Sequence, residues 1–255
     1  MTNVLQIYET LCAWAPLSLQ MDYDNSGFQI GHAGDSVKCV LLALDVTDAV
    51  VEEAIAMDAD LIISHHPILF HATKAITDEN PAMKRILLLA ENRIAVISMH
   101  TNLDIAEGGV NDTLIRLLGA LPEESLDISG CGRIGSLKEP CRLEEFLILC
   151  KDRLQTKALR FYDSGKPVFR LAVMGGAGGS SIEDAWKKGC DTYVTSDLKY
   201  HQFLLAEDLG LNLIDGDHFC TENPIMFHLH DRLSAAFPDV RFVTSMRHLQ
   251  IVRFF

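Results

Sequence analysis

LALDVTDAVVEEAIAMDADLIISHH, residues 42–66, reads as a strand, a helix and a second strand in immediate succession. The apolar run over 39–44 predicts the first strand. Thr47 or Asp48 supplies the helix cap, and the apolar run 61–63 predicts an interior strand. That second strand runs straight into Ser64-His65-His66-Pro67. A strand hands successive side chains to opposite faces, so two imidazoles at its end, turned by a proline, can be brought into one cavity. Histidine is both the commonest protein metal ligand and an acid or base near neutral pH.

The same order recurs later, in VMGGAGGSSIEDAWKKGCDTYVTSD, residues 173–197. The two stretches align without a gap. Glu52-Glu53-Ala54 falls on Glu183-Asp184-Ala185, Asp60 on Asp191, and His65-His66 on Ser196-Asp197. Further on, Ala90-Glu91-Asn92 matches Ala206-Glu207-Asp208, each followed by a short apolar strand. Two readings are open: shared composition of unrelated strand–helix–strand units, and internal duplication into two α/β halves around a shared site.

The rest of the chain fits an α/β fold with substantial parallel pairing. Val4, Tyr8, Leu11 and Cys12 mark one face of a first helix, and Asp24-Asn25-Ser26-Gly27 reads as a polar turn. Asn80-Pro81 is a cap followed by proline at the first helical position, opening a helix to about Glu91. A strand over 94–98 and a helix carrying Val110, Leu114, Leu117 and Leu118 follow. Beyond them come strands near 133–137, 158–162 and 168–174 and a helix over 143–154. The segments 240–244 and 249–255 read as a hairpin-like end.

Composition narrows the function. Among 255 residues, 48% hydrophobic, there are 35 acidic and 22 basic side chains, a net charge of −13, and no basic run. A protein that grips a nucleic acid backbone needs a basic surface, so nucleic acid is a poor partner here. No signal-peptide pattern opens the sequence and no apolar run approaches the roughly 20 residues that span a bilayer. Seven cysteines without regular spacing or a Cys-x-x-Cys pair fit a reduced cytoplasmic protein.

Further chemistry gathers after other expected strands. His100-Thr101-Asn102-Leu103-Asp104 follows one, and Asp215-Gly216-Asp217-His218 leading to Glu222 follows another. Ligands in open α/β sheets collect at the carboxyl ends of strands. His218 and Glu222 have the i, i+4 spacing of one helix face, although Asn223-Pro224 looks like its own helix start and would leave His218 in a loop. His65, His66, Asp104, His218 and Glu222 are too many for one tetrahedral zinc. They suit two divalent ions, zinc, iron, manganese or nickel, which can generate a metal hydroxide near neutral pH. His71, His201, His228, His230 and His248 carry no such context and read as structural or surface residues.

At these residues the chain resembles the GTP cyclohydrolase I type 2 homologues, the NIF-three-like proteins. The resemblance rests on Asp24-Asn-Ser-Gly-Phe-Gln-Ile-Gly31, Ser64-His-His-Pro67, His100-Thr-Asn-Leu-Asp104, Gly108-Gly-Val-Asn-Asp112, Thr195-Ser-Asp-Leu-Lys-Tyr-His201 and the Asp-x-His-x-x-x-Glu ending at Glu222. It implies two intertwined, pseudo-repeated α/β lobes with mixed sheets and a dinuclear metal site between them, assembled as a toroidal homohexamer. The lobes would be 1–124 plus 218–255, and 125–217. By motif, His65, His66, Asp104, His218 and Glu222 match the ligands of two divalent ions per subunit, and His100 matches a site-lining histidine suited to general base. Asp217 stands where glycine is expected, and the inserted domain of some relatives is missing.

Gly175-Gly176-Ala177-Gly178-Gly179-Ser180 follows a strand and opens a helix. It is either a tight turn capped by Ser180 or Ser181, or a seat for a phosphate or carboxylate of a substrate, with Lys199 adding positive charge. The expected activity is metal-dependent hydrolysis of a small molecule, a nucleotide among the candidates, by a metal-held hydroxide with His100 moving a proton. The alternative is a metal-handling or regulatory scaffold without catalysis.

Overall fold

The computed structural model describes residues 1–255. Helix α1 (Val4–Trp14) precedes strands β1 (Gly27–Ile30) and β2 (Cys39–Ala43), helix α2 (Asp48–Ala56), β3 (Leu61–Ser64), α3 (Pro81–Glu91), β4 (Ala95–Ser98) and the single turn α4 (Thr101–Ile105). Then come α5 (Val110–Leu117), β5 (Glu124–Ser125), β6 (Arg133–Cys141), α6 (Leu143–Arg153), β7 (Arg160–Tyr162), β8 (Val168–Val173), α7 (Ile182–Lys187) and β9 (Thr192–Thr195). The chain continues with α8 (Tyr200–Leu209), β10 (Asn212–Asp215), α9 (His218–Glu222), α10 (Pro224–Ala236) and β11 (Arg241–Thr244). No helix is long and apolar enough to cross a membrane.

The chain forms two compact units: Met1–Ala106 with Ile225–Leu249, and Glu107–Pro224 with Gln250–Phe255. These bounds differ from the lobes 1–124 plus 218–255 and 125–217. Helix α5 belongs to the second unit because Leu114, Ile115 and Leu118 are buried in one cluster with Leu143, Phe146, Leu171, Val173 and Ile214. Cys220 of α9 lies in that cluster too, which draws the His218–Glu222 turn with it.

In the first unit the sheet order is β1-β4-β3-β2-β11, with β2, β3, β4 and β11 parallel and β1 antiparallel at the edge. Cys39–Ala43 and Leu61–Ser64 are buried at every position, as strands covered on both faces must be. Leu41, Ala43, Ile62 and Val96 pack with Val50, Val51 and Ala54 of α2 and Leu89 of α3. The Thr47 hydroxyl accepts the Val50 N–H and caps α2, and Asn80 accepts from Ala82 and Met83 ahead of Pro81, as the sequence indicates. The hairpin-like end does not form. β11 pairs in parallel with β2, and residues 249–255 form no strand that could turn back against it.

The second unit has sheet order β5-β6-β8-β9-β10-β7. Its last four strands repeat the first unit: β8, β9 and β10 are parallel and β7 is the antiparallel edge, as β2, β3, β4 and β1 are. The match reaches single residues. Asp60 accepts the N–H groups of Lys38 and Cys39, and Asp191 accepts those of Phe169 and Arg170, the positions the alignment pairs with them. Positive φ recurs at Asp58 and Gly189, and again at Arg93 and Gly210. The offset that takes Ala95 to Asn212 also takes α4 onto α9, five residues each. Shared composition does not reproduce side-chain bonding at matched positions; duplication does. Asp60→Ala and Asp191→Ala each leave two strand-end N–H groups without their acceptor. Each is expected to cost about 2 kcal/mol, read as matched losses in urea unfolding.

Candidate metal centre

In the first unit, β3 and β4 lie side by side and end level, Ser64 opposite Ser98. The residues after each strand emerge at the same edge of the sheet. His65 and His66 come next after β3; Met99 and His100 come next after β4. The three imidazoles collect there, with ring centroids 5.0, 5.1 and 5.4 Å apart. One ring nitrogen from each lies within 4.8 Å of the others, a grouping that could hold a metal ion.

The orientation of the rings matters more than their proximity. His65 is fully buried, and its Nδ1 sits 2.8 Å from the Met99 carbonyl. A carbonyl can only accept, so Nδ1 carries the proton and Nε2 keeps the lone pair. His65 Nε2 then faces Asp104 Oδ1 of α4 at 3.6 Å, beyond hydrogen-bond length but suited to a cation between them. His66 Nδ1 lies 2.7 Å from Asp45 Oδ1, just past the end of β2. His100 Nδ1 lies 2.7 Å from Asp24 Oδ1.

Asp24 is held from several directions. Its side chain is wholly shielded, and its carboxylate accepts from Ser26 Oγ and from the N–H and hydroxyl of Thr101. Burial opposes its charge, but these bonds together with His100 hold its pKa well below the usual carboxylate range. The polar turn expected at 24–27 is therefore also the seat of His100. Burial likewise works against Asp45, while His248 and His66 hold it low.

In the second unit, α9 follows β10 as α4 follows β4. His218 begins α9, and Glu222 ends it, with Nε2 and Oε2 3.1 Å apart on one face. The helix is real, and α10 starts anew at Pro224. His218 Nδ1 meets Asp197 Oδ2 at 2.8 Å, and Asp197 is the residue aligned with His66. Burial alone would lower the His218 pKa, but Glu222 and Asp197 raise it to about 9. A pKa raised above 6.5 stabilises the fold fully below about pH 6.5. That contribution fades as pH climbs through about 9. Metal-free protein is expected to lose melting temperature across that window, and His218→Ala to flatten the loss. Asp217, where glycine was expected, has φ 73°, a glycine-like conformation, and its carboxylate caps α9 through the Cys220 N–H.

The glycine-rich stretch turns out to serve the protein interior. The N–H groups of Gly175, Gly176 and Gly178 donate to Asn111, Thr221 and Thr195, and the Gly176 carbonyl accepts from Ser196. Those three donors are spent, which favours the tight-turn reading over an anion seat at Gly175, Gly176 and Gly178, though Ser181 forms no side-chain cap. A Cβ on Gly176, at φ +67°, would fall 2.1 Å from Glu222 Oε1, and one on Gly179 would strike Gln202. The glycines let the turn lie against Glu222. Lys199 is exposed at the start of α8.

Sequence reading missed Asp45, Asp197 and the role of Asp24. Asp45 and Asp197 had a usable signal, a carboxylate at or just beyond a strand's carboxyl end. Four histidines, His65, His66, His100 and His218, thus share one device: Nδ1 is held by a carbonyl or carboxylate and Nε2 is presented, the arrangement characteristic of metal-binding histidines.

A sequence profile described as Duf34/NIF3 (NGG1p interacting factor 3) matches residues 2–250. The chain belongs to the Duf34/NIF3 family. A Clostridium perfringens protein named GTP cyclohydrolase 1 type 2 homolog is 33% identical over 253 residues, covering 96% of this chain and 95% of that one. The crystal structure of a Bacillus cereus protein related to NIF3 superposes with a TM-score of 0.92 at 27% identity, over 100% of this chain and 99% of that one. Reduced HcgD from Methanocaldococcus jannaschii gives 0.85 at 32% identity, over 95% and 97%. The mixed α/β architecture is shared with both of these structures.

Proposed function

We propose that the chain binds two divalent metal ions through His65, His66, Asp104, His218 and Glu222, and that it is a metal-dependent hydrolase of a small molecule. The observation that carries this reading is the shared orientation of His65, His66, His100 and His218, each with Nδ1 committed to an acceptor. The donor set, imidazole with carboxylate, fits zinc, iron, manganese or nickel better than calcium or magnesium. Bound ions would supply Lewis acidity and a water acidic enough to ionise near neutral pH.

The protein's own contribution is proton handling and placement. His100, oriented by a buried carboxylate and outside the proposed ligand set, would present Nε2 as a proton acceptor. Phe70 stands edge-on to His100 at 5.9 Å and to His71 at 4.8 Å, with Tyr23 6.5 Å from Phe70. The Leu69 carbonyl and N–H are tied to Asn25 and Gln29, so this aromatic flank is fixed beside the base. It is where a small substrate, a nucleotide among the candidates, would lie. Assembly as a toroidal homohexamer is part of the same reading and is checked by native mass spectrometry.

The deciding experiment is elemental analysis of protein purified without added metal, paired with turnover assays on nucleotides, cyclic amides and phosphodiesters. About two ions per subunit and a turnover lost in His65→Ala are expected. Readily exchanging metal with no turnover would instead favour a metal-handling protein.

A further inference from the structure

His248 belongs to none of the motifs above, yet it is buried, 9% exposed, beside the end of β2. The turn that brings it there is built for the purpose. Ser245 pairs its N–H with the Leu42 carbonyl, and Glu53 of α2 accepts from the Ser245 hydroxyl and the N–H groups of Met246 and Arg247. The His248 N–H then closes onto Ser245 Oγ.

The ring that results has its tautomer settled by its neighbours. Its Nδ1 accepts the Leu44 N–H at 3.2 Å, so Nδ1 holds a lone pair and the proton of neutral imidazole sits on Nε2. Nε2 lies 3.1 Å from Asp45 Oδ2. The other oxygen of the same carboxylate takes the His66 Nδ1 proton at 2.7 Å. Asp45 therefore bridges two imidazoles, one with both nitrogens fixed by the fold. An aspartate side chain that is 43% exposed would otherwise swing between rotamers and trade His66 for water.

We infer that His248 is a positioning residue for metal binding: through Asp45 it holds His66 in the tautomer and orientation that present Nε2. A residue near the end of the chain thereby sets the ligand quality of one just beyond β3.

This rests on the metal reading of His66, and the test separates the two. In metal-free, ¹⁵N-histidine-labelled full-length protein, two-bond ¹H–¹⁵N spectra near pH 7.5 are expected to show His248 protonated on Nε2 and His66 on Nδ1. A His248 ring protonated on Nδ1 overturns the inference whatever the variants do. Zinc affinity is then measured by competition with a chromophoric chelator. His248→Phe is expected to weaken it about 10–100-fold, the usual cost of losing such an outer partner, and to scramble the His66 tautomer. His248→Gln can accept from Leu44 and donate to Asp45, and is expected to recover most of the affinity. Folded His248→Phe with affinity within about twofold of wild type and an unchanged His66 tautomer refutes the relay. Wild type that takes up no zinc, with the expected tautomers intact, would fail the metal reading and leave the relay standing.

Discussion

Exchanging His65 for asparagine is expected to cost the protein its metal while leaving it folded. The asparagine amide can still donate to the Met99 carbonyl that His65 Nδ1 satisfies, so the buried acceptor keeps a partner. What disappears is Nε2, the atom aimed at Asp104 and at the cluster with His66 and His100. Loss of a ligand exceeds loss of a residue that merely orients one, so affinity is expected to fall by at least about 100-fold. The smaller side chain leaves some space in a fully buried position, at a cost of roughly 1–3 kcal/mol. Chelator competition and thermal melts read the two effects separately. His65→Ala removes the amide donor as well, and should lose more stability for the same loss of metal. Wild-type metal content in His65→Asn would mean that His65 is a core histidine and no ligand.

The sequence made some of this plain and could not reach the rest. Strand ends were legible because apolar runs such as 61–63 stop abruptly at polar residues. Level ends of β3 and β4 then follow from parallel pairing, and they place His65, His66 and His100 at one edge. The duplication was legible as a gapless alignment, and the paired roles of Asp60 and Asp191 give it a physical basis. Which carboxylate holds which histidine was not legible, although Asp45 and Asp197 stand at strand ends. Asp45 meets His66 because β2 pairs with β3, and Asp24 meets His100 because β1 is the antiparallel neighbour of β4. Those are facts of strand order, which local pattern does not encode. The end of the chain misled for the same reason. A run rich in β-branched and aromatic residues forms a strand only where it pairs with a neighbour, and residues 249–255 pair with no strand.

Asp24→Asn is expected to leave the metal in place and to remove most of the catalysis. Asp24 Oδ2 accepts three hydrogen bonds, from Ser26 and twice from Thr101, while Oδ1 faces His100 Nδ1 and the Asn25 N–H. In the variant the single amide oxygen has most to gain on the Oδ2 side. The NH₂ group then points at His100, where it can only donate. His100 Nδ1 must give up its proton to accept that bond, and the proton moves to Nε2, the nitrogen that was to take one from the reacting water. A well-placed imidazole in the wrong tautomer is a poor base, and the equivalent change in a serine protease lowers kcat by roughly 10⁴. A fall of about 10³-fold or more is expected here for whichever substrate the assays identify, with metal content unchanged. Two-bond ¹H–¹⁵N spectra should show the His100 proton moving from Nδ1 to Nε2 even without a substrate. Asp24→Ser, which cannot hold the ring at all, should leave a mixture of tautomers. Full activity in Asp24→Asn would remove His100 from the chemistry and leave the Asp24–His100 pair as a brace for the turn it closes.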